Sequence, residues 1–353
     1  MKALASFIMR GRTQATLVAV VGAVLSLVIP PLSHLSGATI GLVTLRNGAK
    51  EGLFLMLALG LVMGGIGMMS SVEGGLVQAY VIGMLLLSVP VLIASVVLRV
   101  TRSLGQTLTA IAIMAALLIL LVNIMLGDAV AWWRTILETV MSPMLNEAEL
   151  SPGEASDMLD GMAGMMTGLV AAVLLYSTMI NLSLARWFQG MLYNPGGFQQ
   201  EFHSLFIEKR VAIVAALIGI GGMIFAGQGG ISQDLMILVV ALFSIHGLAL
   251  VHGVIGISGM GRGWLFALYV GLVIVPPHIA MMLAMVGYID SWADIRGRLR
   301  AKLEASGQRK RPSELDRKDH DDDRRDKRDD RDDHDSRDDR SDNDRSDSDD
   351  ERR

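Results

Sequence analysis

The sequence predicts an all-α fold: a polytopic transmembrane helical bundle of about 8 to 9 membrane segments, with interfacial helices and a disordered C-terminal tail. Two observations lead to this prediction. Hydrophobic residues make up 52% of the 353 residues, and the mean hydropathy is +0.46 although the end of the chain is almost wholly charged. In addition, apolar runs of about 17 to 25 residues follow one another, and a helix of that length spans the hydrocarbon core of a bilayer.

Hydropathy places these segments in order within a predicted transmembrane helical domain, residues 1–290. The predicted helices lie at residues 13–30, 37–48, 52–69, 75–98, 105–126, 162–188, 210–227, 235–258 and 264–287. All except the short piece at 37–48 are long enough to cross a bilayer core.

The first segment has the features of a signal anchor. Lys2, Arg10 and Arg12 precede an apolar run over residues 15–29, as in a secretory signal. However, a Pro30-Pro31 pair follows instead of a cleavage site of small residues, and further apolar segments come after it. We therefore expect this segment to stay in the protein.

Small residues at four-residue spacing predict close helix packing, because they let two helix backbones approach. The pairs are Gly60 with Gly64, Gly164 with Gly168, Ala215 with Gly219, and Ala249 with Gly253. We expect contacts between helices at these four places.

The longest connection, residues 128–160, is predicted to hold an amphipathic helix. Trp132, Trp133 and Leu137 belong to an apolar stripe. Arg134 and Glu138 lie beside that stripe, a pattern typical of a helix in the membrane interface.

Two further boundaries follow from capping and turn signals. Ser151, Pro152 and Glu154 form an N-cap, a first-turn proline and a capping-box acid, which predict a helix start near residue 152. The turn sequence at 194–197 precedes aromatic residues interleaved with polar ones, so we expect a second interfacial segment at 198–207.

After the last span, Ser291 is predicted to cap a juxtamembrane basic amphipathic helix, residues 291–306. Its apolar face holds Trp292, Ile295, Leu299 and Leu303. Its basic residues are Arg296, Arg298, Arg300 and Lys302. Such a helix binds an anionic cytoplasmic leaflet. The Asp/Arg-rich tail, residues 307–353, has no aromatic residue and is predicted to be disordered, since it cannot bury enough apolar surface.

Basic residues predict a bacterial inner-membrane protein whose N-terminus and C-terminal tail are cytoplasmic. The predicted outer loops hold only Arg134, whereas the predicted inner loops collect the other basic residues. Crossing by all predicted segments would nevertheless place the C-terminus outside. We therefore expect an even number of crossings. The number is even if the piece at 37–48 or the segment broken at Pro276-Pro277 does not cross. It is also even if the stretch at 198–207 dips into the membrane.

Three histidines lie within predicted spans and form the candidate substrate-binding site: His252, His278 and His246. Ionisable groups at membrane depth face a bundle interior or a water-filled cavity. His246 and His252 are about 120° apart around one helix, so they make a poor metal pair. Two interpretations stay open: neutral histidines bonded to backbone carbonyls, or a proton or substrate site between helices 235–258 and 264–287.

Three other polar residues have structural interpretations. Glu73 stands at a helix start, where it is expected to be a capping or interface acid. Asn123 and Asn181 are expected to form hydrogen bonds between helices.

Several functional classes lack support in the sequence. Cysteine is absent, which excludes thiol nucleophiles, thiolate metal sites and disulfides. No catalytic signature or phosphate-binding glycine loop occurs, so we expect no enzyme, no cofactor and no metal site. The tail is net acidic, and nucleic acid is therefore not an expected partner.

The order of four short motifs resembles the YybS-like family of uncharacterised bacterial polytopic membrane proteins. The motifs are the Pro30-Pro31 break, residues 41–48, residues 193–198 before Glu201-Phe202-His203, and residues 287–292 with Arg296. The resemblance covers about residues 10 to 300. The family is distantly like the substrate-binding component of energy-coupling-factor vitamin transporters. The resemblance therefore implies a small-molecule site among the helices, without naming its residues.

The interpretation we favour is binding or transport of a small, vitamin-like molecule, without an ATPase in this chain. Its expected partners are the lipid bilayer and transporter subunits or other membrane proteins. The alternative is a non-transporting membrane scaffold that contacts envelope or division proteins through the interfacial segments and the tail.

A carbonate wash and a truncation test the predicted localisation and tail. The protein should stay in the membrane pellet after carbonate washing, because its apolar spans hold it there. Truncation at Gly307 should leave membrane insertion and thermal stability nearly unchanged. Release by carbonate would contradict the membrane prediction, and a large loss of stability would contradict the disordered tail.

Reporter fusions test the predicted sidedness. Reporters placed after Arg12 and after Lys302 should both be cytoplasmic, and one near Glu149 should lie on the opposite side. A periplasmic signal at Lys302 would show that the last segment crosses.

Overall fold

The structure is a computed structural model that describes residues 1–69, 76–147, 151–224, 230–261 and 263–306. It divides the chain into two units, Met1–Asp294 and Ile295–Arg353. The described residues form helices and contain no strand, so the predicted all-α class is confirmed for this part of the chain. Glu73 and the tail at 307–353 lie outside the described residues.

Fourteen α-helices and one short 3-10 helix run through the described residues. They are α1 (Lys2–Ile8), α2 (Arg12–Leu25), the 3-10 helix (Pro30–Leu32), α3 (Ser33–Asn47), α4 (Ala49–Met69), α5 (Leu76–Thr101), α6 (Leu104–Leu126), α7 (Ala129–Glu147), α8 (Pro152–Tyr193), α9 (Gly197–His203), α10 (Lys209–Ile224), α11 (Ile231–Ser258), α12 (Gly263–Ile274), α13 (Pro276–Ala293) and α14 (Ile295–Ala305). The last of these belongs to the second unit.

Among the described helices, five are long and apolar enough to cross a membrane: α4, α5 from Tyr80 onward, α6, α8 and α11. Their outer surfaces carry large apolar side chains, and Leu61, Met68 and Ile124 are 81%, 88% and 79% exposed. Water would solvate such surfaces poorly, whereas lipid tails match them. The bundle is therefore membrane-embedded, but the predicted count of about 8 to 9 crossings is not confirmed.

The segments predicted at 13–30 and 37–48 form a short helical hairpin, α2 and α3. At about 1.5 Å per residue each helix is only about 21 to 23 Å long, below the roughly 30 Å of a bilayer core. Arg12 at the start of α2 forms a salt bridge with Glu51. Glu51 lies in the first turn of α4, shortly after α3 ends at Asn47, so the hairpin returns to the side on which it begins.

The segment predicted at 264–287 is two helices, α12 and α13, that meet at Val275. The Pro276-Pro277 pair explains this break, because proline cannot continue the hydrogen bonding of a preceding turn. A Cβ atom placed on Gly271 would lie 3.4 Å from Ile279 Cδ1. These residues would be about 12 Å apart along a straight helix, so the chain bends sharply here.

The C-terminal boundary differs from the predicted one. Helix α13 continues through Ser291 to Ala293, so Ser291 lies inside it and is not an N-cap. The next helix begins at Ile295, after Asp294, whose φ of 43° lies in the left-handed region. Because that conformation ends a helix, the two units divide at 294 and not at 290.

The predicted amphipathic helix and the helix start at 152 are both present, as α7 and α8. The Ser151 side chain accepts a hydrogen bond from the Glu154 amide, and Glu154 bonds back to the Ser151 amide, which completes the capping box. Leu137 of α7 packs against Leu159 and Ala163 of α8. This packing covers part of the α7 apolar stripe with α8.

The closest helix contacts only partly follow the predicted small-residue pairs. A Cβ atom on Gly168 would lie 2.7 Å from the Asp234 Cα, whereas one on Gly64 would meet nothing within 4 Å. The tightest crossing joins α11 and α13. There a Cβ atom on Gly247 would lie 1.9 Å from the Leu283 carbonyl oxygen, and one on Gly287 would lie 2.4 Å from that of Phe243.

Substitution of Gly247 by alanine should destabilise the bundle by about 1 to 3 kcal/mol or more, because the new methyl group collides with backbone. Gly64→Ala is the matched control and should be neutral or slightly stabilising, since alanine favours helices. Thermal unfolding in detergent measures both. Equal stability of the two variants would contradict the close α11–α13 contact.

Candidate functional site

The centre of the candidate site is a buried pair of side chains, His246 on α11 and Asp290 on α13. Both are 0% exposed, and His246 Nε2 lies 3.2 Å from Asp290 Oδ2. The Ser291 Oγ lies 3.5 Å from the other ring nitrogen, Nδ1. The close glycine crossing brings the two backbones near enough for this contact. A carboxylate buried among membrane helices needs such partners, because lipid and apolar side chains cannot solvate it.

The linker between α9 and α10 contacts the His246 ring. The Phe206 ring meets the His246 ring edge to face, with their centroids 5.6 Å apart. Gly105, at the start of α6, packs closely against the backbone of this linker. A Cβ atom on Gly105 would lie 2.0 Å from the Phe206 carbonyl oxygen, so only glycine fits there.

Phe206 also lines a cavity of about 540 Å³ where α6, α9 and α10 meet. Its lining residues are Arg102, Ser103, Leu104, Gly105, Gln106, Thr109, Glu201, Ser204, Leu205, Phe206, Glu208 and Val211. Polar and apolar groups both face this space. Phe206 thus belongs to the cavity lining and contacts His246.

Basic residues cluster at the membrane end where this cavity lies. Arg99 Nη1 donates hydrogen bonds to the carbonyl oxygens of Leu45 and Arg46, each at 2.8 Å. The Arg46 guanidinium lies over the Tyr193 ring, 4.3 Å from its centroid. The ends of α3, α5 and α8 therefore share this basic end, and Arg102 follows α5 directly.

His252 has partners of its own, which differ from those of His246. Its Nδ1 lies 2.9 Å from the Leu248 carbonyl oxygen and its Nε2 lies 3.1 Å from the Tyr269 hydroxyl. A carbonyl oxygen only accepts, so in the neutral ring Nδ1 carries the proton and Tyr269 donates to Nε2. The rings of Phe202 and His203 also lie beside it.

The three predicted site residues do not form one cluster. His246 pairs with Asp290 and His252 with Tyr269, as their separation around α11 predicts. His278 is exposed in the first turn of α13 and makes no hydrogen bond or ion pair with the described residues. The proposed convergence of His252 and His278 thus has no contact to support it in the described part of the chain.

Sequence reasoning missed Asp290, Phe206 and Tyr269 as site residues. Asp290 stands in the 287–292 motif, and Phe206 follows the Glu201-Phe202-His203 motif by three positions. Residues in or near two of the motifs that carry the family resemblance therefore contact the same residue of α11, His246. The presence of these motifs was the available signal for a site. The sequence alone, however, does not show that Asp290 and Phe206 come together in the fold.

The predicted asparagine hydrogen bonds are present. Asn181 Oδ1 on α8 lies 2.9 Å from His34 Nδ1 on α3, so this bond joins two helices. The Asn123 amide donates to the Ile119 carbonyl oxygen of its own helix, and its side chain also reaches Asp234 of α11.

Another carboxylate joins α8 to α11. Asp234 Oδ1 accepts a hydrogen bond of 2.7 Å from the Gly168 amide in the middle of α8. Next to it, the Trp133 indole of α7 donates to the Thr167 hydroxyl. These bonds form a polar layer far from the His246 pair, and we assign them to helix packing.

Among the described residues, no group of three or more His, Cys, Asp or Glu side chains could hold a metal ion. Comparison of the chain with protein-family models, curated proteins and solved structures gives no significant match. The resemblance to the YybS-like family therefore stays a prediction.

The buried pair can be tested by a double-mutant cycle. His246→Leu or Asp290→Leu alone should each cost about 3 to 5 kcal/mol, because each leaves a buried polar partner behind. The double variant should cost less than their sum by about 1 kcal/mol or more. His278→Ala is the control and should leave stability unchanged. Additive costs, measured by unfolding in mixed detergent, would show that the two side chains do not interact.

Proposed function

We propose that this protein binds a small polar molecule in the cavity between α6, α9 and α10, as the substrate-binding part of a membrane transport system. The observation that carries the proposal is the cavity itself. Its volume of about 540 Å³ lies within the range of about 300 to 1,000 Å³ typical of small-molecule sites. Its lining combines apolar side chains with charged and hydroxyl groups, which could contact the body and the polar groups of a solute.

The position of the cavity supports transport more than scaffolding. It opens at the basic end of the bundle, which the positive-inside rule assigns to the cytoplasm of a bacterial inner membrane. Phe206 of its lining contacts His246, which is paired with the Asp290 carboxylate inside the helical bundle. Paired ionisable groups inside a membrane commonly mark solute or proton pathways.

Energy for transport would come from another subunit. The sequence has no phosphate-binding glycine loop, so this chain is not expected to hydrolyse ATP. The exposed apolar sides of the bundle would contact lipid and the membrane-embedded partners of such a system. The alternative, a scaffold without a solute, has no comparable feature in the described residues.

Filling the cavity tests this proposal. Gln106→Trp should weaken binding of the co-purifying small molecule by about tenfold or more, since the indole occupies the space of the solute. The full-length protein is purified in detergent, and its bound small molecules are identified by native mass spectrometry.

Thr135→Trp, on the exposed surface of α7 away from the cavity, is the matched control and should retain the ligand. The proposal fails if wild-type protein carries no small molecule, or if both tryptophan variants retain it equally.

A further inference from the structure

The cavity contains two opposite charges that the protein itself does not pair. Of the three charged residues in its lining, Glu201 is held by Arg186, whose Nε lies 2.7 Å from Glu201 Oε2. The Arg102 guanidinium and the Glu208 carboxylate form no ion pair or side-chain hydrogen bond with the described residues. Both residues are exposed, so one solvated cation and one solvated anion in the lining of the same cavity are available to a ligand.

The backbone places Arg102 in an unusual conformation. Its φ of 54° lies in the left-handed region, which non-glycine residues adopt at a cost of about 1 to 3 kcal/mol. Arg102 lies between Thr101, the end of α5, and Ser103, the N-cap of α6. Arg102 therefore immediately precedes the N-cap of α6, and the dipole at the N-terminus of that helix also favours an anion.

Glu208 lies on the other side of the cavity, immediately before α10. Its carbonyl oxygen accepts hydrogen bonds from the amides of Val211 and Ala212, which fixes its backbone at the helix start. The neighbouring basic residues Lys209 and Arg210 are exposed, as Glu208 is, but unlike Glu208 they do not line the cavity. The carboxylate is thus the charge that this segment contributes to the cavity.

From this arrangement we infer that the ligand is a zwitterion, with a carboxylate directed to Arg102 and an ammonium group directed to Glu208. This inference rests on the proposed function, because it assumes that the cavity holds a solute. A zwitterion satisfies both charges, whereas a purely anionic or cationic molecule leaves one of them without a partner. The apolar side chains of Leu205, Phe206 and Val211 would contact the body of the molecule.

A panel of matched solutes tests the zwitterion directly on the purified full-length protein. L-leucine and L-phenylalanine are compared with the corresponding carboxylic acids, which lack the amine, and with the amines, which lack the carboxylate. Native mass spectrometry and competition binding should rank the zwitterions tightest. Loss of either charged group should weaken binding by about tenfold or more.

Single variants then assign each charge to its residue. Arg102→Gln should remove the preference for the carboxylate, and Arg102→Lys should restore part of it. Glu208→Gln should remove the preference for the ammonium group. Lys209→Gln changes a charge just outside the cavity and should leave the ranking as in wild type. A merely structural role for Arg102 would lower stability without changing the ranking.

The outcomes separate this inference from the proposed function. If the singly charged analogues bind as tightly as the zwitterions, or if no panel member binds, the zwitterion is wrong. In either case, a co-purifying molecule that Gln106→Trp expels would still support the cavity as a binding site. If that molecule is absent as well, both proposals fail.

Discussion

The contact between Gly247 and Gly287 is the constraint on which the candidate site depends. Helix backbones in lipid gain little from apolar burial against each other, so their association relies on close packing and polar contacts. Both are present here. The two glycines let α11 and α13 approach, and the approach allows His246 to reach Asp290. A larger residue at either glycine would separate the helices and leave two buried polar groups without each other.

The linker between α9 and α10 extends this arrangement to the cavity. Gly105 admits the backbone of Phe206, which contacts the His246 ring and belongs to the cavity lining. The buried pair and the cavity are consequently connected through one residue.

Short helices explain why the count of apolar segments is not confirmed in this chain. The α2–α3 pair is shorter than the five helices that are long and apolar enough to cross a membrane. The last segment is interrupted at Val275, where Gly271 and Ile279 approach each other. Hydropathy reports how apolar a segment is, whereas crossing also depends on the direction in which neighbouring elements turn the chain.

The sequence by itself determined the helical class, the apolar character of the bundle, the capping box at Ser151 and the amphipathic helix α7. These follow from local composition and from contacts between near neighbours in the chain. Only the tertiary structure decided which polar groups meet. His246 on α11 and Asp290 on α13 are separated along the chain by α12. Arg102 and Glu208, which line the same cavity, precede different helices, α6 and α10. Such arrangements depend on how glycine contacts align separate helices, and a single sequence contains no local signal for that alignment.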